Sequence, residues 1–200
     1  MKKLKTMLGS ILVFALLLVS RAEAATVQYM LDQSNRLAND IDYLLVTLSD
    51  STPGQLDFLV ETQSAFSGIA GRNFGIASFA FNFDSAVELS KDDFVLPEKW
   101  KVRFNRRMSE AGRFDVRIQG TGRTRQDPLE FSVWGLGLDD IIPDFPGFAS
   151  HTAGFEAERR ISSAFFYGDT LVAAVPVPAA FWLFGSGMLL LGRVAIRRRT

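Results

Sequence analysis

The sequence contains no cysteine and a single histidine, His151, among its 200 residues. Without cysteine, the chain has no disulfide bridge, no cysteine nucleophile and no cysteine-ligated metal site. One histidine cannot form a histidine cluster for a transition metal, and a Ser-His-Asp triad would have to use His151. We therefore expect a domain held together by its apolar core, with no metal and no cofactor.

The chain also lacks net charge, because 22 basic residues balance 22 acidic ones. That balance is uneven along the chain: residues 25–175 carry 14 basic and 21 acidic side chains, a net charge of −7. The compensating positive charge lies at the two ends. An acidic body of this kind does not suit general nucleic-acid binding, so we expect no nucleic-acid partner.

The N-terminus has the pattern of a secretory signal peptide. Three lysines within the first five residues precede an apolar run over residues 7–19. Ala22 and Ala24 then supply a small-x-small cleavage site. We expect cleavage after Ala24, so that the exported protein begins at Ala25. An uncleaved N-terminal anchor is the alternative.

The C-terminus has a proline pair, an uncharged run and a basic end, in that order. No charged residue occurs between Asp169 and Arg193. A helix that begins at Pro178 and ends near Arg197 has roughly 20 residues and a length of ~30 Å, which is enough to cross a bilayer. The terminal arginines favour a cytoplasmic end, so the preceding chain would lie outside. A buried C-terminal helix and an ordinary tail anchor are the alternatives.

This order of features resembles the PEP-CTERM protein-sorting signal, in a VPxPAA-type variant. The motif residues are Val175, Pro176, Val177, Pro178, Ala179 and Ala180. The following residues, 181–187, are similar to the helix opening of a common variant, and Arg197, Arg198 and Arg199 match the closing arginine cluster. The glutamate that names the family is replaced here by Val177.

The resemblance implies that the chain is the substrate of an exosortase, a membrane cysteine transpeptidase that would cut near Pro176–Pro178. The three terminal arginines would act as the membrane stop. The precursor would be anchored in the inner membrane of a Gram-negative bacterium, and the body would then reach the cell surface or the extracellular matrix, where exopolysaccharide is a further expected partner.

The body consists of nine short apolar runs separated by turn residues. The clearest alternation places Phe79, Phe81 and Phe83 on one face and Ser78, Ala80 and Asn82 on the other. The glycine-containing stretch Ser64–Gly75 is predicted to be a loop. We expect an all-β fold, an antiparallel, jelly-roll-like β-sandwich of eight or nine strands. A closed barrel is the alternative. The chain then divides into a signal peptide (1–24), a β-sandwich domain (25–172) and the PEP-CTERM-like sorting signal (173–200).

One segment reverses the acidic balance of the body. Residues 97–130 carry nine basic and five acidic side chains, a net charge of +4. Lys101 and Arg103 are in phase on one predicted strand, and Arg113 and Arg117 are in phase on the next. If these strands pair through a turn at Met108–Gly112, one sheet face carries a basic stripe that could bind an acidic polysaccharide or phosphate groups. Pairing with the acidic segment 25–96, or plain solvation, is the alternative.

Two acidic loops and the histidine complete the candidate residues. Asp92 and Asp93, and Asp139, Asp140 and Asp144, could form a weak Ca²⁺ site, although neither loop has EF-hand spacing and solvated acids are the simpler interpretation. His151 alternates with Ala153 and Phe155, which predicts a half-buried strand residue hydrogen-bonded to the backbone or to a tyrosine.

The body is therefore expected to be a structural or carbohydrate-binding module and not an enzyme. The first alternative is a secreted glycan-active enzyme, which would need two carboxylates facing each other about 5–10 Å apart. The second is a plain periplasmic protein held by its C-terminal anchor.

Overall fold

A computed structural model describes residues 25–156 and 161–172, and this part of the chain is all-β. It contains no helix long and apolar enough to cross a membrane. The two predicted terminal helices lie outside the described residues. The strands are β1 (Thr26–Leu31), β2 (Gln33–Ser34), β3 (Leu44–Thr52), β4 (Gln55–Thr62), β5 (Ala70–Phe81), β6 (Phe94–Val95), β7 (Lys101–Arg107), β8 (Arg113–Gln119), β9 (Leu129–Trp134), β10 (Phe148–Phe155), β11 (Ser163–Gly168) and β12 (Thr170–Val172). Short 3-10 turns occupy Ser64–Phe66, Lys91–Asp93, Ser109–Ala111 and Leu138–Asp140.

The strands form two antiparallel sheets of six strands each. Sheet A has the order β12-β1-β3-β4-β9-β6, and sheet B has the order β2-β11-β10-β5-β8-β7. Both sheets have free edge strands, which is the arrangement of a sandwich, and the prediction of an all-β antiparallel fold is confirmed. The predicted number of strands is wrong, because the structure has twelve in its described part. The edge strands β2, β6 and β12 have two or three residues each, too few to show an alternation in the sequence.

Three strands of sheet A follow directly from their sequence. Leu44, Val46 and Leu48 of β3 are buried and alternate with half-buried neighbours. The buried residues of β4 and β9 alternate in the same way with half-buried or exposed neighbours. The β3–β4 hairpin turns at Pro53-Gly54, where Gly54 has a φ of +74° that favours glycine. The period of two therefore sends one side of each strand into the core.

Phenylalanine fills the space between the sheets. Phe58 of sheet A stacks on Phe131 of the same sheet with ring centroids 4.4 Å apart, and it meets Phe81 of sheet B at 4.8 Å. All three rings are at most 4% exposed. Burying one such ring contributes roughly 1.5–3 kcal/mol, so several of them hold the sandwich without disulfide bridges.

Strand β5 differs from the prediction at both of its ends. It begins at Ala70, inside the stretch predicted to be a loop, and it ends at Phe81, so Phe83 makes only an isolated bridge to Ile141. Glycine explains the first difference, because a Cβ at Gly71 would lie 2.7 Å from the carbonyl oxygen of Gly154. These glycines let β5 and β10 approach closely, with register shifts near His151 and Phe155, so here glycine marks an irregular strand.

The outer face of sheet B is also buried, contrary to the predicted alternation. Ser78 and Ala80 are at most 1% exposed, because the connection between β7 and β8 folds back over them. We call this connection, Met108–Gly112, the strap. Met108 is fully buried, accepts a hydrogen bond from the Ser78 hydroxyl at 3.8 Å, and packs in one apolar cluster with Ala80.

Hydrogen bonds of Asn35 connect the strap to β11, near the edge of sheet B opposite to β7. The Asn35 side-chain amide donates to Glu110 of the strap at 3.1 Å. The Asn35 carbonyl oxygen accepts the backbone N–H of Phe165 at 2.9 Å. The hairpin that begins at the β7 edge is therefore tied to β11, near the opposite edge of the same sheet.

Candidate functional site

The predicted basic hairpin is present. Strands β7 and β8 pair antiparallel through the strap, as the sequence indicates. Arg103 lies directly opposite Arg117, and Lys101 lies opposite Gln119, so these residues share the outer face of sheet B. Like charges on opposite strands repel, and this arrangement is unfavourable unless an anion or water screens it.

Arg113 does not join the other three predicted residues. It pairs with Arg107 at the strap end of the hairpin. Its guanidinium donates to the backbone carbonyl of Asn105 at 3.0 Å and to the side-chain oxygen of the same residue at 2.9 Å. The structure therefore brings together Lys101, Arg103 and Arg117 and leaves Arg113 in a local contact.

The basic segment is not neutralised by the acidic segment before it. Among the described residues the single ion pair joins Lys99 to its neighbour Glu98, at 3.2 Å, and both side chains are largely exposed. Asp57, on the acidic segment, is bound instead to three polar side chains of sheet A, Ser51, Gln55 and Ser132. Of the two alternatives to anion binding, pairing with residues 25–96 is therefore not observed, and solvation remains.

A groove of about 760 Å³ runs along the β7 edge, between the two sheets. Its walls carry five cations and one carboxylate, namely Lys91, Lys99, Lys101, Arg103, Arg106 and Glu98. Its apolar part includes Phe94 of β6 and Phe104 of β7, whose rings meet edge to face at 5.9 Å. The groove thus combines an excess of positive charge with aromatic surface at the opening between the sheets.

Sequence reasoning missed part of this groove. Lys91 and Lys99 lie in connections without strand periodicity, and Arg106 follows Asn105, whose φ of +54° disturbs the alternation along β7. The signal that was available is the density of basic residues between Pro97 and Glu130, which locates the groove but not its members.

Arg117 has an unusual environment beneath the strap. Its Nη1 donates to the Arg107 carbonyl at 3.4 Å and its Nη2 to the Ser78 hydroxyl at 3.5 Å, both long contacts. Its Nε is buried and has no hydrogen-bond partner among the described residues. Burial, reinforced by repulsion from Arg103 and Arg106, lowers the pKa of the Arg117 guanidinium.

His151 is half-buried on β10, as predicted, and its ring stacks on Phe165 with centroids 4.5 Å apart. The predicted hydrogen bond to backbone or tyrosine is not seen within residues 25–156 and 161–172. Burial is the main cause that lowers the pKa of His151, and the charges of Arg117 and Arg125 act in the same direction. The ring is therefore neutral near pH 7 and lies among cations.

Two of the five predicted calcium ligands accept local hydrogen bonds. The Asp93 carboxylate accepts the backbone N–H of Ser90 at 2.6 Å, and Asp140 accepts that of Gly137 at 2.8 Å, so each caps a short 3-10 turn. In the part of the chain that the structure describes, no group of three or more acidic or histidine side chains could hold a metal. The other three candidates are Asp92, Asp139 and Asp144.

The export and sorting residues lie outside the described residues. They are the cleavage-site residues Ala22 and Ala24, the motif residues 175–180 and the arginines 197–199. Ala25, the predicted first residue of the exported chain, is described and is exposed, and its backbone N–H donates to the Asp50 carboxylate at 2.7 Å.

Comparison with protein families, with curated proteins and with solved structures gave no match to this chain.

Proposed function

We propose that this protein is exported, sorted through its PEP-CTERM-like C-terminus, and used in the cell envelope or matrix as a module that binds an acidic polysaccharide. An exosortase-type transpeptidase would process the motif Val175–Ala180, with the inner membrane as the transient or permanent anchor. We also propose that the sandwich is jelly-roll-like. The observation that supports the binding role is the groove at the β7 edge, with five cations against one carboxylate.

The shape and chemistry of the groove favour an extended anionic chain. It follows β7, whose seven residues extend over roughly 23 Å at ~3.3 Å per residue. Arginine and lysine recognise carboxylate and sulfate groups through charge-assisted hydrogen bonds. Phe94 and Phe104 add apolar surface against which the faces of sugar rings can pack.

Binding is favoured over glycan cleavage by the distribution of carboxylates. The edge groove is lined by one carboxylate, Glu98, and a neighbouring groove of about 550 Å³ is also lined by one, Glu130. A glycosidase needs two carboxylates on either side of the scissile bond. A glycan-active enzyme is therefore the second candidate, and a plain anchored periplasmic protein is the alternative to sorting.

The test of the binding role uses polygalacturonate as the acidic polysaccharide and dextran as its neutral control. We expect the full chain to bind polygalacturonate, with an affinity that falls as salt screens the charges. The double variant Lys101→Gln/Arg106→Gln removes two exposed contacts of ~0.2–1 kcal/mol each, so its affinity should fall by about 2- to 30-fold.

The matched control is Arg36→Gln/Arg72→Gln, which removes the same charge at two exposed positions outside the groove. It should bind within about twofold of the parent chain. Equal losses in the two double variants, or equal binding of dextran, would contradict a specific role of the groove.

A further inference from the structure

The outer face of sheet B also holds two arginines and a neutral histidine that do not line the groove. The group consists of Arg117 on β8, His151 on β10 and Arg125 in the connection after β8. None of these three residues lines the β7 groove. An inference about them therefore rests on residues other than those of the groove, although Arg117 lies opposite Arg103 of the groove wall.

Strand register brings Arg117 and His151 together. His151 lies opposite Ser78 of β5, and Ser78 lies opposite Gln119 of β8, so these side chains share one row across the outer face. Arg117 starts in the next row, opposite Ala80, and its Nη2 reaches to 3.5 Å from the Ser78 hydroxyl. Its guanidinium head is thus placed over the residue next to His151.

Arg125 lies beside β5, on the same side of that strand as β8. An isolated bridge between Ile76 and Gln126 fixes the chain beside β5. The Arg125 Nη1 donates to the backbone carbonyl of Asn73 at 2.6 Å. A Cβ at Gly75 would lie 3.2 Å from the Arg125 Cβ, so the missing side chain of the glycine leaves space for the arginine.

Arg117 and Arg125 each have a buried side-chain nitrogen without a hydrogen-bond partner within the described ranges. Their Nε atoms are both buried, and they are the only two buried side-chain nitrogen or oxygen atoms without a hydrogen-bond partner in residues 25–156 and 161–172. A buried donor without a partner is unfavourable, and a buried guanidinium more so. An acceptor that carries negative charge would give such an Nε a hydrogen-bond partner and would also offset the charge of its guanidinium.

The acidic residues near Arg117 are engaged elsewhere, and Asp115, on the same face of β8, accepts the backbone N–H of Phe83 at 3.3 Å. Glu110, the acidic residue of the strap, is engaged by the Asn35 amide at 3.1 Å and by the Ser109 hydroxyl at 2.5 Å. Ser78 of β5 lies opposite His151, and Phe165 of β11 stacks on its ring. The charges of both arginines act on this ring. The cover of the strap reduces access of water, and this strengthens the attraction of the cations for an anion.

We propose that Arg117, Arg125 and His151 form a compact binding site for a tetrahedral oxyanion, a phosphate or sulfate group. Two guanidinium groups can offer several donors to the oxygens of one such anion. A carboxylate has fewer oxygens and a smaller charge, so it is the poorer ligand. The anion can be a free ion or an ester on a glycan, since both present the same oxygens.

The test is calorimetric titration of the full chain in a non-ionic detergent and a phosphate-free buffer. The probes are inorganic phosphate, sulfate, glucose 6-phosphate and acetate. We expect saturable binding of the first three and little binding of acetate. Tighter binding of glucose 6-phosphate than of inorganic phosphate indicates a phosphorylated glycan as the source, and the reverse order indicates the free ion.

Three single variants localise the binding. Arg117→Gln and Arg125→Gln should each reduce the affinity for inorganic phosphate by at least about tenfold, because each removes charged hydrogen bonds. Arg72→Gln, at an exposed position of β5, should change it by less than about twofold. The variant Lys99→Gln/Lys101→Gln removes two groove cations that are not among the charges acting on Arg117 and should keep phosphate binding, which separates a failure here from a failure of the polysaccharide proposal.

The melting temperature of Arg117→Gln distinguishes a ligand-binding role of Arg117 from a structural one. Without ligand, Arg117→Gln should melt at or above the temperature of the parent chain, since it removes a half-buried charge repelled by Arg103 and Arg106. A lower melting temperature, absent binding to the parent chain, or equal losses in all three variants would overturn the proposal. If Arg117→Gln does not fold, unchanged binding by Arg125→Gln overturns it.

Discussion

The two sheets of this sandwich treat their outer faces differently. On sheet A, Leu45 and Leu59 point away from the core and are half-buried, as expected for a face in contact with solvent. On sheet B, Ser78, Ala80 and Ala149 also point away from the core, but each is at most 1% exposed. The strap accounts for this difference, because it covers one outer face and leaves the other open.

The comparison shows how a charge becomes half-buried without being in the core. Arg117 lies on the outer face, where the alternation of β8 predicts solvent. The strap covers it, and its pKa is lowered by burial and by neighbouring arginines. On sheet A, burial raises the pKa of the outward-facing Asp57. Hydrogen bonds donated by Ser132, Gln55 and Ser51 outweigh this effect, so the pKa of Asp57 is lowered. The carboxylate of Asp57 on sheet A thus has hydrogen-bond partners, whereas we propose that the guanidinium of Arg117 on sheet B binds a ligand.

The largest expected effect comes from loosening the strap. Met108 is fully buried, so Met108→Ala should reduce the free energy of unfolding by about 2–5 kcal/mol. Leu59→Ala, on the open face of sheet A, should cost only about 1 kcal/mol, because its side chain is half-buried. Urea unfolding measures both. If the two losses are equal, the outer faces do not differ as described.

A smaller effect should appear in the pH dependence of stability. Because the folded state lowers the pKa of His151, the unfolded chain binds its proton first, with a pKa of about 6.5. The contribution of this residue to stability is therefore present above that pH and is lost as the pH falls below it.

Comparison of the parent chain with the variant His151→Gln separates the contribution of His151 from that of the other titrating groups. Between pH 7.5 and 5.5, in phosphate-free buffer, the parent chain should lose more free energy of unfolding than His151→Gln does. Equal losses would mean that His151 titrates as it does in the unfolded chain. A larger loss in the variant would mean that the cations around the ring do not repel its proton.

The sequence predicts sheet A better than sheet B, and the reason is local. The alternation of β3, β4 and β9 is regular, so each strand and its buried side could be recognised. Strand β5 begins among glycines that normally indicate a loop, and only its pairing with β10 makes Ala70–Gly75 a strand. Burial of Ser78 and Ala80 depends on a strap that is distant from them in sequence.

The sequence also predicts part of the candidate site and misses another part. The pairing of Lys101, Arg103 and Arg117 follows from one hairpin with a turn at the expected place. Arg113 lies apart from them, because its guanidinium donates hydrogen bonds to Asn105. Arg125 could not have been found from periodicity, since it comes from a connection that only the folded chain places near His151.

We propose that the body is delivered by a cleaved signal peptide and a processed C-terminal sorting signal. Intact mass spectrometry of the protein from its native host, in membrane and extracellular fractions, tests this route. We expect a chain that begins at Ala25 and ends near Val175–Pro178, with or without an added mass. A chain that begins at Ala25 but still ends at Thr200 in the membrane would contradict the sorting proposal, and Val177 would be the first residue to examine.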